Sequence, residues 1–174
     1  DMNEDGLTEV PDPSQTILSQ RYHEAIGTAL VPVMEGTTPI LMEVQALTSP
    51  SYGPIPRRVA NGVDYNRLLM LSAVSAKRAG LSLHNQDIII NIAGGFKITE
   101  PAADMGIIMA IASSLYNQPL GPDLAVFGEV GLSGELRQVH QSDRRITEVS
   151  RLGLSQCILP TLIEQANTTD IKLV

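Results

Sequence analysis

The chain has 174 residues, 43% of them hydrophobic but only 3% aromatic, with no Trp, two Phe and four Tyr. A chain of this length buries a sizeable single core, here an aliphatic one, and the shortage of rings argues against a base-stacking module. Nineteen acids against twelve Lys and Arg give a net charge of −7, which opposes polyanion binding by the surface as a whole and leaves only a local basic face for it.

Residues 1–13 are acidic, broken by prolines and without periodicity, and read as a linker into a folded domain over 14–174. Ser14 is the expected N-cap of a short segment carrying Ile17, Leu18 and Tyr22. Two β-prone runs, Gly27 to Met34 and Pro39 to Leu47, flank Glu35-Gly36-Thr37-Thr38 and predict a hairpin. The Pro- and Gly-rich stretch from Ser49 to Gly62 predicts an ordered loop or irregular edge segment. Asp64 should cap a helix to Arg78 whose apolar face is Leu68, Leu71, Val74 and Leu69, with Gly80 as its stop. Arg67 and Arg78 are eleven residues apart and so share a side of that helix.

Asp87 to Ala93 reads as a buried strand ended by Gly94 and Gly95. Pro101 suits the first turn of a helix to Tyr116, with Ala102, Met105, Ile108, Met109, Ala112 and Leu115 on its apolar face. Leu124 to Glu129 is predicted as a strand that turns through Gly131-Leu132-Ser133-Gly134 into a partner at Glu135 to Val139. Ser142 is the expected N-cap of a helix to Leu152, with Gly153 as its end. Cys157 to Leu159 predicts a strand, Thr161 to Ala166 a short helix and Ile171 to Val174 a last strand. The mixed order of elements makes the fold class α+β, in a single domain.

Cys157, the one cysteine, sits in an apolar run and reads as a buried structural thiol. No apolar run approaches the roughly 20 residues that span a bilayer and no signal-peptide pattern opens the chain, so a cytoplasmic protein without a membrane partner is expected. A start at Asp1 and a stop inside an apolar tail predict a piece of a longer protein.

Three segments together carry a resemblance: Pro56-Arg57-Arg58 with Asn66-Arg67-Leu68; Asn91-Ile92-Ala93-Gly94-Gly95 with Glu100-Pro101-Ala102-Ala103-Asp104; and Phe127-Gly128-Glu129-Val130-Gly131-Leu132-Ser133-Gly134-Glu135-Leu136-Arg137. In this order they resemble the Lon-protease-like domain at the C-terminal end of the bacterial RadA (Sms) DNA-repair family, over about Gly6 to Pro160. The resemblance implies a ribosomal-protein-S5-domain-2-like fold and a hexameric homo-oligomeric ring behind an upstream RecA-like ATPase of the same chain, acting on branched DNA in recombinational repair. ATP and zinc are expected for those upstream domains; this chain has no G-x-x-x-x-G-K-[ST] loop and one Cys, so no cofactor or metal is assigned to it.

Lon-type peptidases resemble the chain most at 93–106, where their nucleophilic Ser sits in a P-S-A-G turn, and at the later helix that supplies a Lys base. Here Asp104 falls at the Ser position and Asp143 at the Lys position, with Ser142, Arg144 and Arg145 as neighbours; Arg stays protonated and cannot act as the base. No catalytic residue is therefore expected, and an active Ser–Lys peptidase is kept as the alternative. Asp104 and Asp143, with His140 near in sequence, could form an acid/base or metal pair; first-turn dipole and ion-pair roles are the simpler expectation.

Arg57, Arg58, Arg67, Lys77, Arg78 and Lys97 come from segments that are contiguous if the helix and the glycine loop share one sheet edge. Against a solvated face with scattered ion pairs, the resemblance points to DNA, single- or double-stranded. Contact would be through phosphates, led by Arg58, Arg67 and Lys97 and repeated around a ring. Arg57 and Arg137 are also candidates for subunit contacts. A pure oligomerisation scaffold without DNA contact is the remaining alternative.

Overall fold

The computed structural model describes residues 12–20, 22 and 24–160, and the backbone of 2–3, 6–7 and 172–173. Within the stretch read as a linker, β1 (Met2–Asn3) and β2 (Gly6–Leu7) pair antiparallel. Helix α1 (Pro13–Gln20) follows. Its cap is Asp12, whose Oδ1 accepts from Gln15 N at 3.1 Å, and not Ser14 as expected. Pro13 opens the helix because its missing N–H costs nothing there. Ser14 turns inward: its Oγ donates to Glu148 and accepts from Leu41 N, both at 3.0 Å. Arg151 closes the hub, holding Glu148 through Nε at 2.7 Å and Asp12 through Nη1 at 2.8 Å.

Strands β3 (Thr28–Glu35) and β4 (Thr38–Pro50) form the predicted hairpin, joined by Gly36 and Thr37 in the Glu35↔Thr38 register. The stretch after it contains an edge strand, β5 (Arg58–Asn61), parallel to β6 (Gln86–Ile92). Between them lies α2 (Tyr65–Arg78), capped as predicted by Asp64, whose carboxylate accepts from Arg67 N at 2.8 Å. Leu68, Leu71 and Val74 are buried and Leu69 is not, so the apolar face is narrower than expected. Burial of Leu68 and Leu71, both fully enclosed, stabilises by about 2 kcal/mol each.

After 3-10 turns at Ala93–Gly95 and Pro101–Ala103 comes α3 (Asp104–Tyr116). Its buried side is Asp104, Gly106, Ile107, Ile108, Ala110, Ile111 and Ser113, whereas Met105, Met109, Ala112 and Leu115 are only partly covered. The helix is apolar nearly all round, so periodicity alone could not orient it. What orients it is Gly106, where any Cβ would overlap Val31 Cγ2, so the helix backbone lies directly on β3.

The run expected as one strand from Leu124 to Glu129 is two. It is β7 (Leu124–Val126), then a bend at Phe127 and Gly128 (φ 148°), then β8 (Glu129–Val130), which pairs antiparallel with β9 (Leu136–Arg137) outside the main sheet. Helix α4 (Ser142–Arg151) follows a left-handed Gln141, and Ser142 Oγ donates to Val139 O at 2.8 Å, so Ser142 is the first helical residue and not its cap. Strand β10 (Gln156–Ile158) and β11 (Lys172–Leu173) complete the set. The short helix expected at 161–166 lies outside the described residues.

The main sheet runs β11-β10-β7-β3-β4-β6-β5, with β3, β4 and β6 antiparallel and the outer pairs parallel. One face carries α2 and α3 over a core of Val31, Met42, Val44, Ile88, Ile90 and Ile92. The other carries α1 and α4 over Leu30, Leu41, Ala125, Phe127, Ile146 and Cys157. The fold is α+β in one domain. Cys157 is fully enclosed, and burial pushes its thiol up to about 12. Strand β6 departs from the expected full burial: Ile89 is 40% exposed, because no described helix covers that face of it. Among the described residues no helix is long and apolar enough to cross a membrane.

Candidate functional site

The turn from Glu100 to Asp104 sits where sheet, α2 and the β8–β9 hairpin converge. Pro101 forces Glu100 into extended backbone (ψ 145°) and starts the 3-10 turn. Ala102 and Ala103, each 1% exposed, are small enough for the bend at Gly128 to come within backbone hydrogen-bonding distance. Gly128 N donates to Ala102 O at 2.8 Å and Met105 N donates to Gly128 O at 3.2 Å. One of the first-turn amides of α3 is thus satisfied from within the chain.

Asp104 is 1% exposed and fully engaged. Arg67 Nε donates to its Oδ1 at 2.8 Å, Arg67 Nη2 donates to Oδ2, and Val130 N donates to Oδ2 at 3.0 Å. Burial pushes the Asp104 carboxyl above its ordinary range, opposed by the guanidinium and the Val130 amide. The same contact raises the affinity of Arg67 for its proton. Glu129 stands 3.9 Å from Arg67 Nη2, so the hairpin shares the charge. Asp104 therefore does more than the first-turn role expected of it: it ties α2 to α3 and to β8.

A second pair lies four residues earlier. Arg145, 2% exposed at its side chain, donates to both Glu100 oxygens (2.8 and 2.6 Å), to Pro32 O at 2.6 Å and to His140 O at 3.1 Å. Glu100 Oε1 also accepts from Met34 N at 2.7 Å. The Arg145 guanidinium carbon lies 5.9 Å from the Phe127 ring centroid, a cation–π arrangement. No sequence pattern signals this pair. Arg144 and Arg145 are adjacent, yet Arg144 points out to Thr37 O, and Glu100 is 45 residues from its partner.

Between β5, the start of α2, loop 97–100 and the start of α3 opens a cleft of about 720 Å³. Val63, Ile98 and Ile107 contribute apolar walls, Arg67 and Asp104 lie in its lining, and Lys97 and Asn61 are at exposed positions along it. Asp143 is exposed on α4; no hydrogen bond or ion pair joins it to Asp104, and His140 is exposed. Among the described residues, no cluster of His, Cys, Asp or Glu is placed to hold a metal ion.

The six basic candidates divide into two groups. Arg67 and Lys97 share the cleft at the N-terminal end of α2. Arg57, Arg58, Lys77 and Arg78 are associated with its other end, about 20 Å along the helix axis. Arg57 is ion-paired with Asp87 at 2.9 Å, and Arg58 donates to the carbonyls of Gln86 (2.6 Å) and Leu83 (3.2 Å), with no carboxylate partner among the described residues. Lys77 and Lys97 have no ion-pair partner among the described residues, and Arg78 packs its methylenes against Gly134. Arg67 and Arg78 both face the β8–β9 hairpin, as their shared helix side predicts.

The family model for the Lon protease (S16) C-terminal proteolytic domain matches residues 70–174. The chain is similar to the DNA repair protein RadA of Halalkalibacterium halodurans, with 48% identity over 160 residues, 92% of this chain and 35% of the relative. It is 46% identical to the Bacillus subtilis protein of that name over the same shares, and 45% identical to the Escherichia coli one over 159 residues, 91% and 35%. The chain spans about a third of the length of these curated relatives. Matched over most of its core by that family model and over nearly its whole length by these relatives, the chain belongs to the Lon protease C-terminal proteolytic domain family, as a Lon-like domain of the RadA type.

Proposed function

We propose that this is a non-catalytic Lon-like domain within a RadA-type DNA-repair ATPase, where it assembles the hexameric ring and offers a basic surface to DNA. The stretch before Asp12 would link it to an upstream RecA-like ATPase, to which ATP and zinc belong. The observation that carries the non-catalytic part is Asp104: at the position that resembles a peptidase nucleophile stands a buried carboxylate held by Arg67 and Val130 N. A carboxylate enclosed and engaged through both oxygens does not take the place of a serine hydroxyl as nucleophile. The described serine hydroxyls that hydrogen-bond do so to Glu148, Asp87, Thr48 or backbone groups, none to a lysine.

For DNA, support comes from the names of the relatives and from the uncompensated cations. Lys77, Arg78 and Lys97 are exposed, and the Arg58 guanidinium, hydrogen-bonded to carbonyls and lying in the field of Asp87, keeps its charge beside them. Arg57 and Arg67 add to the field from within ion pairs. The direct test replaces Lys77, Arg78 and Lys97 with Ala in the full-length protein, sparing the two paired arginines. The expected result is weaker DNA binding, with the slope of log affinity against log salt reduced by about one per lost phosphate contact, and an unchanged ring by sedimentation. Unchanged affinity and slope would leave a pure scaffold. Casein proteolysis abolished by a single serine replacement would restore the peptidase.

A further inference from the structure

The connection from β4 to β5 runs Ser51-Tyr52-Gly53-Pro54-Ile55-Pro56-Arg57. Both of its ends are fastened to one carboxylate. Arg57 donates to Asp87 through its amide at 2.8 Å and through Nε at 3.0 Å, and the Ser51 hydroxyl bonds the same group. Ser51 N also donates to Asn85 O at 3.0 Å. Pro54 and Pro56, each with φ fixed by its ring, leave the span between these anchors few conformations. On that span Tyr52 is 98% exposed, whereas the other three tyrosines range from 49 to 73%.

The surroundings of this tyrosine are positively charged. The neck of the loop rests on Asn85, in the connection that follows the basic last turn of α2, and Arg58 donates to Leu83 O and Gln86 O of that same connection. Arg57 is paired with Asp87 on one side only and keeps a side chain 83% exposed. Beyond Arg58 stands Tyr65, half exposed on the first turn of α2 and near enough to bear on the Arg58 guanidinium. Two arginines thus lie between two tyrosines at one edge of a chain whose net charge is −7.

An exposed tyrosine on a floppy loop is ordinary. One held out by a clamped, proline-stiffened loop has already lost the freedom that binding would otherwise remove. Phosphate contacts need only the cations, and they leave the aromatic face without a role. Base faces supply one, because stacking on an aromatic side chain is indifferent to sequence. Ile55, 78% exposed on the same loop, extends the apolar surface, while the cations around it favour a polyanion over an apolar protein partner. In a closed duplex the neighbouring pairs cover each base face, so the contact requires an unpaired base. One tyrosine is too few for a stacking platform but enough for one base, and an assembly of domains repeats it.

The geometry points to Tyr52 as the residue on which an unpaired DNA base stacks while Arg57, Arg58 and the basic end of α2 hold the phosphates beside it. This deepens the proposed DNA contact and rests on it, adding a base contact where only phosphate contacts were assigned.

The test uses the full-length protein with Tyr52→Ala, with Tyr52→Phe, and with Lys77, Arg78 and Lys97 all replaced by Ala. Each is titrated with a labelled oligothymidylate strand and with a blunt duplex of equal length at several salt concentrations. Stacking predicts that Tyr52→Ala loses about fivefold or more in single-strand affinity. Its salt slope stays unchanged because no charge is removed, and its duplex affinity stays unchanged as well. Tyr52→Phe keeps the aromatic face and should bind as the parent does. Unchanged single-strand affinity in Tyr52→Ala overturns the proposal, and so does an equal loss on strand and duplex, or a loss that Tyr52→Phe shares. An assembly that dissociates in sedimentation on Tyr52→Ala assigns the loop to a subunit contact and overturns it too. The triple variant reports on the basic surface separately. If it weakens binding to both DNAs while Tyr52→Ala changes neither, the phosphate contacts stand and the stacking alone fails; if the triple variant changes neither, the basic surface itself falls.

Discussion

The turn from Glu100 to Asp104 carries one carboxylate at each end, and each is paired with an arginine in the opposite sense. In the Arg145–Glu100 pair the cation is sealed, at 2% exposure, and the anion is 24% exposed. In the Arg67–Asp104 pair the anion is sealed, at 2%, and the cation is 29% exposed. Removing the more exposed partner of a pair strands the buried charge, whereas removing the buried one leaves a group that water can reach. The two pairs therefore predict opposite sensitivities along one short segment.

The largest effect is expected for Glu100→Ala, which leaves the Arg145 guanidinium enclosed with only carbonyl acceptors and should cost about 3–5 kcal/mol in urea unfolding. Arg145→Met should cost less, because Glu100 can hydrate and keeps the Met34 amide; the reverse order would break the comparison. Arg67→Met comes next, at about 3 kcal/mol at pH 7, since Asp104 stays buried without its cation. Its deficit also has a signed pH dependence. Burial already holds the Asp104 carboxyl above its ordinary range, so without Arg67 the folded-state value lies further above the unfolded one of about 3.9. Stability of this variant falls as pH rises through that window and is partly recovered below about pH 4, as melts at pH 7 and pH 4 will show.

Asp104→Ser restores a hydroxyl at the cleft, leaves Arg67 free to hydrate and should cost about 1–3 kcal/mol from the unpaired Val130 amide. It should not cleave casein, because Arg67, the neighbour of the new hydroxyl, stays protonated and cannot act as its base; cleavage would remove the non-catalytic proposal. The smallest effect is at Asp87→Asn. The Arg57 amide and guanidinium hold the Asp87 carboxyl below the usual range, so its contribution is present above about pH 4 and is lost as pH falls further. The variant should be slightly less stable than the parent at neutral pH and show a shallower acid limb, the two converging as pH falls.

Local chemistry made part of this legible in the sequence. The Glu35–Thr38 hairpin and the Asp64 cap rest on contacts within a few residues, and both occur where turn and cap signals placed them. The orientation of α3 could not be read, because its apolar residues surround the axis and Gly106 fixes it through a residue 75 positions earlier. Both serine caps failed for a related reason: Ser14 and Ser142 had better partners in Glu148 and Val139 O than their own helix amides. At the site, the place of Asp104 in the first turn of α3 was legible in the residues themselves. The strength with which Asp104 and Arg145 are held was not, since their partners lie 37 and 45 residues away.

The hub of Ser14, Glu148, Arg151 and Asp12 gives the domain a mechanical property. Helix α1 has only eight residues, too few to persist by its own hydrogen bonds. Yet Asp12 at its entry is bolted through Arg151 to the last turn of α4, and Ser14 to the β4 backbone. A load applied at residue 12 is therefore shared among α1, the last turn of α4 and the β4 backbone.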